Sequence, residues 1–353
     1  MNRLEIFDIS FNPLKTLELH QIFLKLPVLK EFFAKSCLLD NVSLEKLLET
    51  RIYLHQHLES IDLSFNRFSS LCDDYWSSFV NLRQLNLEHN QIHQIDSFFI
   101  RSLTSLYSLN LAHNVIDHLP KLYNPSLMYL NISFNQVQSF DDAFAAKMPK
   151  IRSIDLDSNL NLQTISKRSL CGINVSNLEH LSFRFNNLSV IDSLEEVFCR
   201  LIENKLTKPF IDVNANINLK CQCVLVVYQQ FFVNYPELTC IQQGQDRYFI
   251  SKLASSFAHC VPTICQHTSI KDLCLENQWN EDVSNRTCQK ESTESTTISF
   301  TSTMTHTTIS TIGNTTVLEN NSSMHQRVSL SSIGPSLSTI DYCWLVSLFI
   351  LWI

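Results

Sequence analysis

Glycine is nearly missing from this chain: four residues in 353, where average usage of about 7% would supply roughly 25. Loops that wrap phosphates need glycine for close backbone approach. Neither GxGxxG nor GxxxxGK[ST] occurs, so glycine-cradled nucleotide sites are excluded. Charge is sparse too. Charged residues are 17% of the chain, and 27 basic against 34 acidic residues leave a net charge of −7. No basic field is available to neutralise phosphates, and nucleic acid is not an expected partner. No GxSxG, HExxH or nucleophile–base arrangement appears and the carboxylates are scattered, so neither catalysis nor a cofactor is expected. What the chain does have is apolar material: 44% of residues are hydrophobic, enough for a substantial core.

That material recurs at a fixed period. The segment LESIDLSFNRF (58–68) has the form LxxLxLxxNxL, and so do LRQLNLEHNQI (82–92), LYSLNLAHNVI (106–116) and LMYLNISFNQV (127–137). IRSIDLDSN (151–159) and LEHLSFRFNNL (178–188) continue the series; LEIFDISFNPL (4–14) and LKEFFAKSCLL (29–39) precede it. The ninth slot holds Asn12, Cys37, Asn66, Asn90, Asn114, Asn135, Asn159 and Asn186, with spacings of 25, 29, 24, 24, 21, 24 and 27. A weaker ninth turn, Ile211 to Asn216, follows. Apolar slots of LxxLxL point inward from one short parallel strand per turn, with strands about 4.8 Å apart. The asparagine turns inward where the chain leaves the strand and satisfies backbone groups there. A cysteine thiol, a weak donor of similar size, can take one rung.

The x slots face outward and form a concave surface. The candidate ligand-binding strip is Arg83, Asn86, Glu88, His89, Tyr107, Asn110, His113, Tyr129, Phe134, Arg152, Asp155, Arg184 and Phe185. Aromatic and arginine side chains are common binding anchors. His89 and His113 share a slot on adjacent strands, with Glu88 beside the first. Phe11, Phe65, Phe134 and Phe185 fill the same slot elsewhere, so it reads as one that takes flat rings. A third ligand is not evident, and no metal site is expected.

Past the repeats, Cys221 and Cys223 form a CxC followed by Cys240 and Cys260. This resembles the C-terminal cysteine-rich flank of extracellular leucine-rich-repeat proteins, the group with Toll-like, Slit-like and platelet-glycoprotein-like ectodomains. The repeat resemblance covers about residues 1–216 and the cap 217–265. It implies an α/β solenoid: a leucine-rich-repeat horseshoe with a parallel β-sheet on its concave face and a disulfide-bonded C-terminal cap. It also implies pairing of Cys221 with Cys240 and of Cys223 with Cys260. One residue more than the pattern stands between the last Asn and the CxC. Cys171 and Cys199 fall at similar points of adjacent turns and are a further candidate pair.

Eight N-glycosylation sequons, at Asn41, Asn131, Asn174, Asn187, Asn285, Asn314, Asn320 and Asn321, agree with an extracellular setting. A glycan on Asn131 would obstruct the concave face. Residues 266–291 form a short Cys-containing segment. Residues 292–341 are a Ser/Thr-rich stalk, with 24 Ser or Thr among the 48 residues from Ser292 to Thr339. It has too little apolar surface to offset ordering entropy, and disorder is expected. The hydrophobic tail 342–353 would reach about 18 Å as a helix, short of the roughly 30 Å hydrocarbon layer. A short terminal apolar tail after a polar spacer has the form of a glycosylphosphatidylinositol signal, with Ser331 or Ser332 as lipid attachment point; a short single-pass helix is the alternative. The chain opens directly on a repeat without an apolar leader, and a truncated N-terminus is expected. The function expected is cell-surface recognition or adhesion, through a protein or glycoconjugate ligand on the concave face. A glycosylated structural spacer is the alternative.

Overall fold

The computed structural model describes residues 3–14, 26–41, 57–71, 76–96, 99–140, 144–145, 147–166, 169–171, 173–191, 194–203, 209–221, 225, 239–241, 247–249 and 326–329. Its strands, in chain order, begin with β1 (Leu4–Asp8), β2 (Glu31–Phe33), β3 (Ser60–Asp62), β4 (Ser70–Leu71), β5 (Gln84–Asn86) and β6 (Gln94–Ile95). They continue with β7 (Ser108–Asn110), β8 (His118–Leu119), β9 (Tyr129–Asn131), β10 (Ser139–Phe140), β11 (Ser153–Asp155) and β12 (His180–Ser182). A helix, α1 (Leu194–Glu203), then precedes β13 (Phe210–Asp212), β14 (Thr239–Ile241), β15 (Arg247–Phe249) and β16 (Gln326–Ser329).

Ten strands form one sheet in the order β13-β12-β11-β9-β7-β5-β3-β2-β1-β16. Every pair in it is parallel, and the repeats stack slot on slot: Gln84, Leu85 and Asn86 stand beside Ser108, Leu109 and Asn110. The two-residue pairs β4–β6 and β8–β10 run along the opposite side of the coil. The expected leucine-rich-repeat solenoid is therefore the fold.

The core is a continuous column of the apolar slots. Leu82, Leu85 and Leu87 of one turn lie over Leu106, Leu109 and Leu111 of the next, all buried. Each such side chain contributes about 1.5–3 kcal/mol relative to exposure, and none could do so without the neighbouring turn. On the side away from the sheet, Trp76 packs 5.7 Å from Phe79 and edge-on to Phe99 at 5.5 Å. The helix α1 was not anticipated, although Leu194, Val197, Phe198 and Leu201 have the spacing of one helical face and all four are buried.

The asparagine ladder forms as expected. Asn114 Nδ2 donates to Leu87 O, Leu111 O and Ala112 O at 3.0, 3.0 and 3.2 Å, and its Oδ1 accepts from Ile92 N at 2.9 Å. Asn66, Asn90, Asn135, Asn159 and Asn216 make equivalent bonds to the preceding turn. Cys37 takes its rung by donating from Sγ to Ile9 O at 3.2 Å and Lys35 O at 3.4 Å. Burial and the Asp8 charge push its thiol up to about 11, so it stays protonated and able to donate.

The C-terminal end carries the Cys221–Cys240 disulfide, with a Cα–Cα distance of 5.0 Å. Closing its 19-residue separation restricts the unfolded chain by about 3 kcal/mol. Cys221 N also donates to Ile241 O at 3.0 Å, and Ile241 N to Leu219 O at 2.7 Å, which ties the β14–β15 hairpin to the last turn. The expected Cys223–Cys260 pair lies outside the described residues. Cys171 is disulfide-bonded too; its expected partner, Cys199, sits on α1, where its side chain is not among those described.

At the other end, β16 lies parallel to β1, pairing Phe7 with Val328 and Asp8 with Ser329. The four residues of β16 fall in the Ser/Thr-rich segment for which disorder was expected. The physical reason is the edge of β1, whose backbone groups can pair with any extended segment. An extended polar segment can satisfy them without contributing to a core. Apart from 326–329, residues 250–353 lie outside those described, including Ser331, Ser332, Asn285, Asn314, Asn320, Asn321 and the tail 342–353. Among the described residues, no helix is long and apolar enough to cross a membrane.

Candidate functional site

The residue before each ladder rung is where the strand bends away. Its N–H donates to the neighbouring turn: Phe65 N to Glu88 O at 2.8 Å, His89 N to Ala112 O at 3.0 Å, His113 N to Ser133 O at 3.0 Å and Phe134 N to Asp157 O at 2.8 Å. Reaching that acceptor while the next side chain turns inward requires a left-handed backbone. All nine residues in this slot, Phe11, Ser36, Phe65, His89, His113, Phe134, Ser158, Phe185 and Ala215, have φ between 53° and 64°. The conformation costs a non-glycine residue about 1–2 kcal/mol. This glycine-poor chain bears that cost nine times over, offset by the cross-turn bonds and, where rings fill consecutive slots, by what those rings do on the rim.

What they do is stack. Phe65, His89, His113 and Phe134 form a continuous column with centroid separations of 4.1, 4.0 and 4.2 Å and interplanar angles of 22°, 9° and 8°. The column lies along the rim of the sheet and is open to solvent; Phe134 is 49% exposed. Where Ser36 replaces a ring, the column is interrupted. Lys35 Nζ sits there, 4.7 Å from the Phe65 centroid and 5.9 Å from that of Phe11. A cleft of about 420 Å³ opens at this point, lined by Ser36, Leu38, Phe65, His89, Gln91 and His113 among others.

Of the strip proposed from sequence, the structure brings some members together. Glu88 Oε1 is 3.6 Å from His89 Nε2, and Glu88 Oε2 accepts from Asn110 Nδ2 at 3.3 Å. The His113 imidazole is held below its ordinary range, by desolvation first and then by His89, with Glu88 opposing. Tyr107 and Tyr129 meet edge to face at 6.4 Å, and Gln84 Nε2 donates to the Tyr107 hydroxyl. Further along, the Arg184 guanidinium lies 5.1 Å from the Phe185 centroid, with Nε 3.4 Å from the Asp212 carboxylate. Burial raises the Asp155 and Asp212 carboxyls above the usual range. Arg83 and Arg152 are drawn to the edge of the strip by ion pairs with Glu59 at 3.6 Å and Glu179 at 2.6 Å.

Three strip residues have a structural occupation that sequence reasoning missed. Asn86, Asn110 and Asp155 each accept, through Oδ1, the N–H two residues ahead, at 3.1, 3.1 and 2.9 Å. Asp8, Asp62, Asn131 and Asp212 do the same. Together they form an outer ladder of side-chain turns that closes each strand. The signal was present: Asp or Asn recurs in the fifth slot. Asn131, a sequon, is one of these rungs, and its Oδ1 also accepts the hydroxyl of Ser133 at 2.7 Å. Asn41, another sequon, spends both ends of its amide on the next turn. Its Nδ2 donates to Ser70 O at 2.7 Å, and its Oδ1 accepts from Ser69 N at 2.6 Å. The sequons at Asn174 and Asn187 are partly exposed.

Residues 56–121 and 125–188 match the leucine rich repeat family model. Together with the parallel coil and both ladders, these matches identify the segments as leucine-rich repeats wound into a leucine-rich-repeat solenoid. Among proteins with curated descriptions none matches. Solved structures similar to this chain include TLR13 in complex with ssRNA13 (19% identity, TM-score 0.47, 62% of this chain and 32% of that one) and the internalin InlF of Listeria monocytogenes (21% identity, TM-score 0.45, 64% and 58%). This chain thus spans less than two thirds of either.

Proposed function

We propose that this protein is a cell-surface recognition or adhesion molecule that binds a protein or glycoconjugate ligand on the outward face of its sheet. Leucine-rich-repeat proteins in general mediate protein–protein interaction, and the extracellular, cysteine-capped subtype is the reading of the CxC cap and sequons. The observation that carries the proposal is where the exposed rings lie. Of the eleven large apolar side chains exposed among the described residues, Phe11, Phe65, Tyr129, Phe134, Phe185 and Phe210 occupy outward slots of the sheet or its rim. A solenoid used only as a spacer has no reason to concentrate exposed rings on one face. Aromatic anchors with charged neighbours, here Lys35, Arg184 and Glu88, are how partner surfaces concentrate binding energy.

Attachment to the membrane belongs to the proposal as a lipid at Ser331 or Ser332, with release of the chain by a phosphatidylinositol-specific phospholipase as its check. Recognition is tested by binding the labelled protein to cells that display its ligand. Phe65→Ala, Tyr129→Ala and Phe134→Ala should each weaken binding by about 5- to 30-fold, corresponding to roughly 1–2 kcal/mol per anchor. Unchanged binding in all three would leave the spacer reading in place.

A further inference from the structure

The histidine pair in the middle of the rim column differs from the other rungs in a way that stacking does not explain. Imidazole occupies this slot only at 89 and 113, on adjacent turns. The preceding slot holds glutamate only at 88; elsewhere it is Ser10, Lys35, Ser64, Ala112, Ser133, Asp157, Arg184 or Asn214. We propose that Glu88, His89 and His113 bind one divalent transition ion of the zinc or copper kind on the rim between β5 and β7.

The donor atoms of the three side chains lie within 4.8 Å of one another. Two imidazole nitrogens and a carboxylate oxygen are a donor set that both ions accept, at about 2.0–2.2 Å for zinc. Two donors on a tetrahedral ion stand about 3.3 Å apart at those bond lengths, and Glu88 Oε1 and His89 Nε2 are already 3.6 Å apart. The carboxylate is oriented from behind, because Asn110 Nδ2 engages its other oxygen, as the outer partners of metal ligands commonly do. His113 supplies the third donor from the adjacent turn. Its ring is now parallel to that of His89, so the two in-plane lone pairs do not converge. Binding therefore rotates His113 away from His89. That rotation gives up stacking on both His89 and Phe134, which coordination to the ion must offset. Three protein donors leave a fourth position for water or for a donor from a bound partner.

The site is independent of the ligand reading above. Its test is calorimetric titration of the intact, chelator-treated protein with zinc chloride alone at pH 7.5. One saturable site of micromolar affinity is expected, with binding weakened about tenfold or more in both His113→Asn and Glu88→Gln and retained in His93→Ala, an exposed histidine nearby. In the unsubstituted protein, histidine ring NMR signals report the same event without any variant: the His89 and His113 resonances should move together at one equivalent of zinc. Absence of saturable binding, equal affinity in His113→Asn and Glu88→Gln, or zinc-induced shifts confined to other histidines would overturn the proposal.

Discussion

Replacing Asn114 by alanine isolates the inner ladder. The residue is buried, between two turns that are themselves well packed. Of the groups it serves, Leu87 O keeps a bond from Asn90 at 3.0 Å, Leu111 O one from Asn135 at 2.9 Å and Ala112 O one from His89 N at 3.0 Å. Ile92 N is different: the Asn114 Oδ1 acceptor at 2.9 Å goes with the side chain, and Ile92 is itself buried. Leaving one buried donor unpaired costs about 1–3 kcal/mol, and each weakened carbonyl bond about 0.5–1 kcal/mol more. A total near 4 kcal/mol corresponds to a drop in melting temperature of roughly 8–16 °C for a folded unit of this size. Far-UV circular dichroism during heating reads it directly. Asn114→Cys should fall in between, because a thiol donates to carbonyls as Cys37 does but accepts poorly. Gln136→Ala, on an exposed side chain one slot beyond the next rung, should stay within about 0.5 kcal/mol. If Asn114→Ala melts within about 2 °C of the parent, the inner ladder does not hold the turns together as described.

Two further outcomes follow from the perturbed groups. Cys37, buried and with its thiol pushed up to about 11, should resist iodoacetamide in the native protein at pH 8 and react only when denaturant is added, as peptide mass spectrometry would show; rapid native labelling would place it outside the ladder. Burial raises the Asp155 carboxyl, so the folded state holds that proton more tightly than the unfolded state does. Its ionised form therefore opposes folding at neutral pH, and the opposition is lifted as pH falls through the raised value towards 3.8. Asp155→Asn keeps the acceptor for Asp157 N, as Asn86, Asn110 and Asn131 do in their own turns. It should be at least as stable as the parent at pH 7, with the difference shrinking by pH 4. A variant clearly less stable at pH 7 would mean that attraction to Arg184 and His180 dominates over burial.

The repeat register was legible because its cause is local and periodic: leucines at slots 1, 4 and 6 and asparagine at slot 9 fix which side chains face inward and where each strand ends. Cys37 could be placed in its rung for the same reason. The first disulfide of the cap, implied by family likeness, is present. Geometry that arises between turns was less legible. Histidine and phenylalanine in slot 8 read as tolerated flat rings, yet a shared left-handed backbone aligns them into one column, and no residue type there announces that conformation. Asn86, Asn110 and Asp155 read as binding residues since polar side chains on an outward face look available; that their Oδ1 atoms also close local turns is a backbone matter that residue type alone does not show. The helix at 194–203 lies within the span between two repeat strands, where the i, i+3, i+4, i+7 pattern of Leu194, Val197, Phe198 and Leu201 is short and blends with the leucine periodicity around it. Pairing of β16 with β1 joins segments more than 300 residues apart, and an edge that accepts any extended backbone leaves no side-chain pattern to find.

Site-specific photo-crosslinking compares the two sides of the coil in a single experiment. Tyr129 stands on the outward face of the sheet, whereas Tyr123 lies on the connection leading back to it, and both are exposed tyrosines. With benzoylphenylalanine at each in turn, irradiation on ligand-bearing cells should yield one discrete adduct from position 129 and none from 123. An adduct from position 123 with none from 129 would contradict recognition through the sheet.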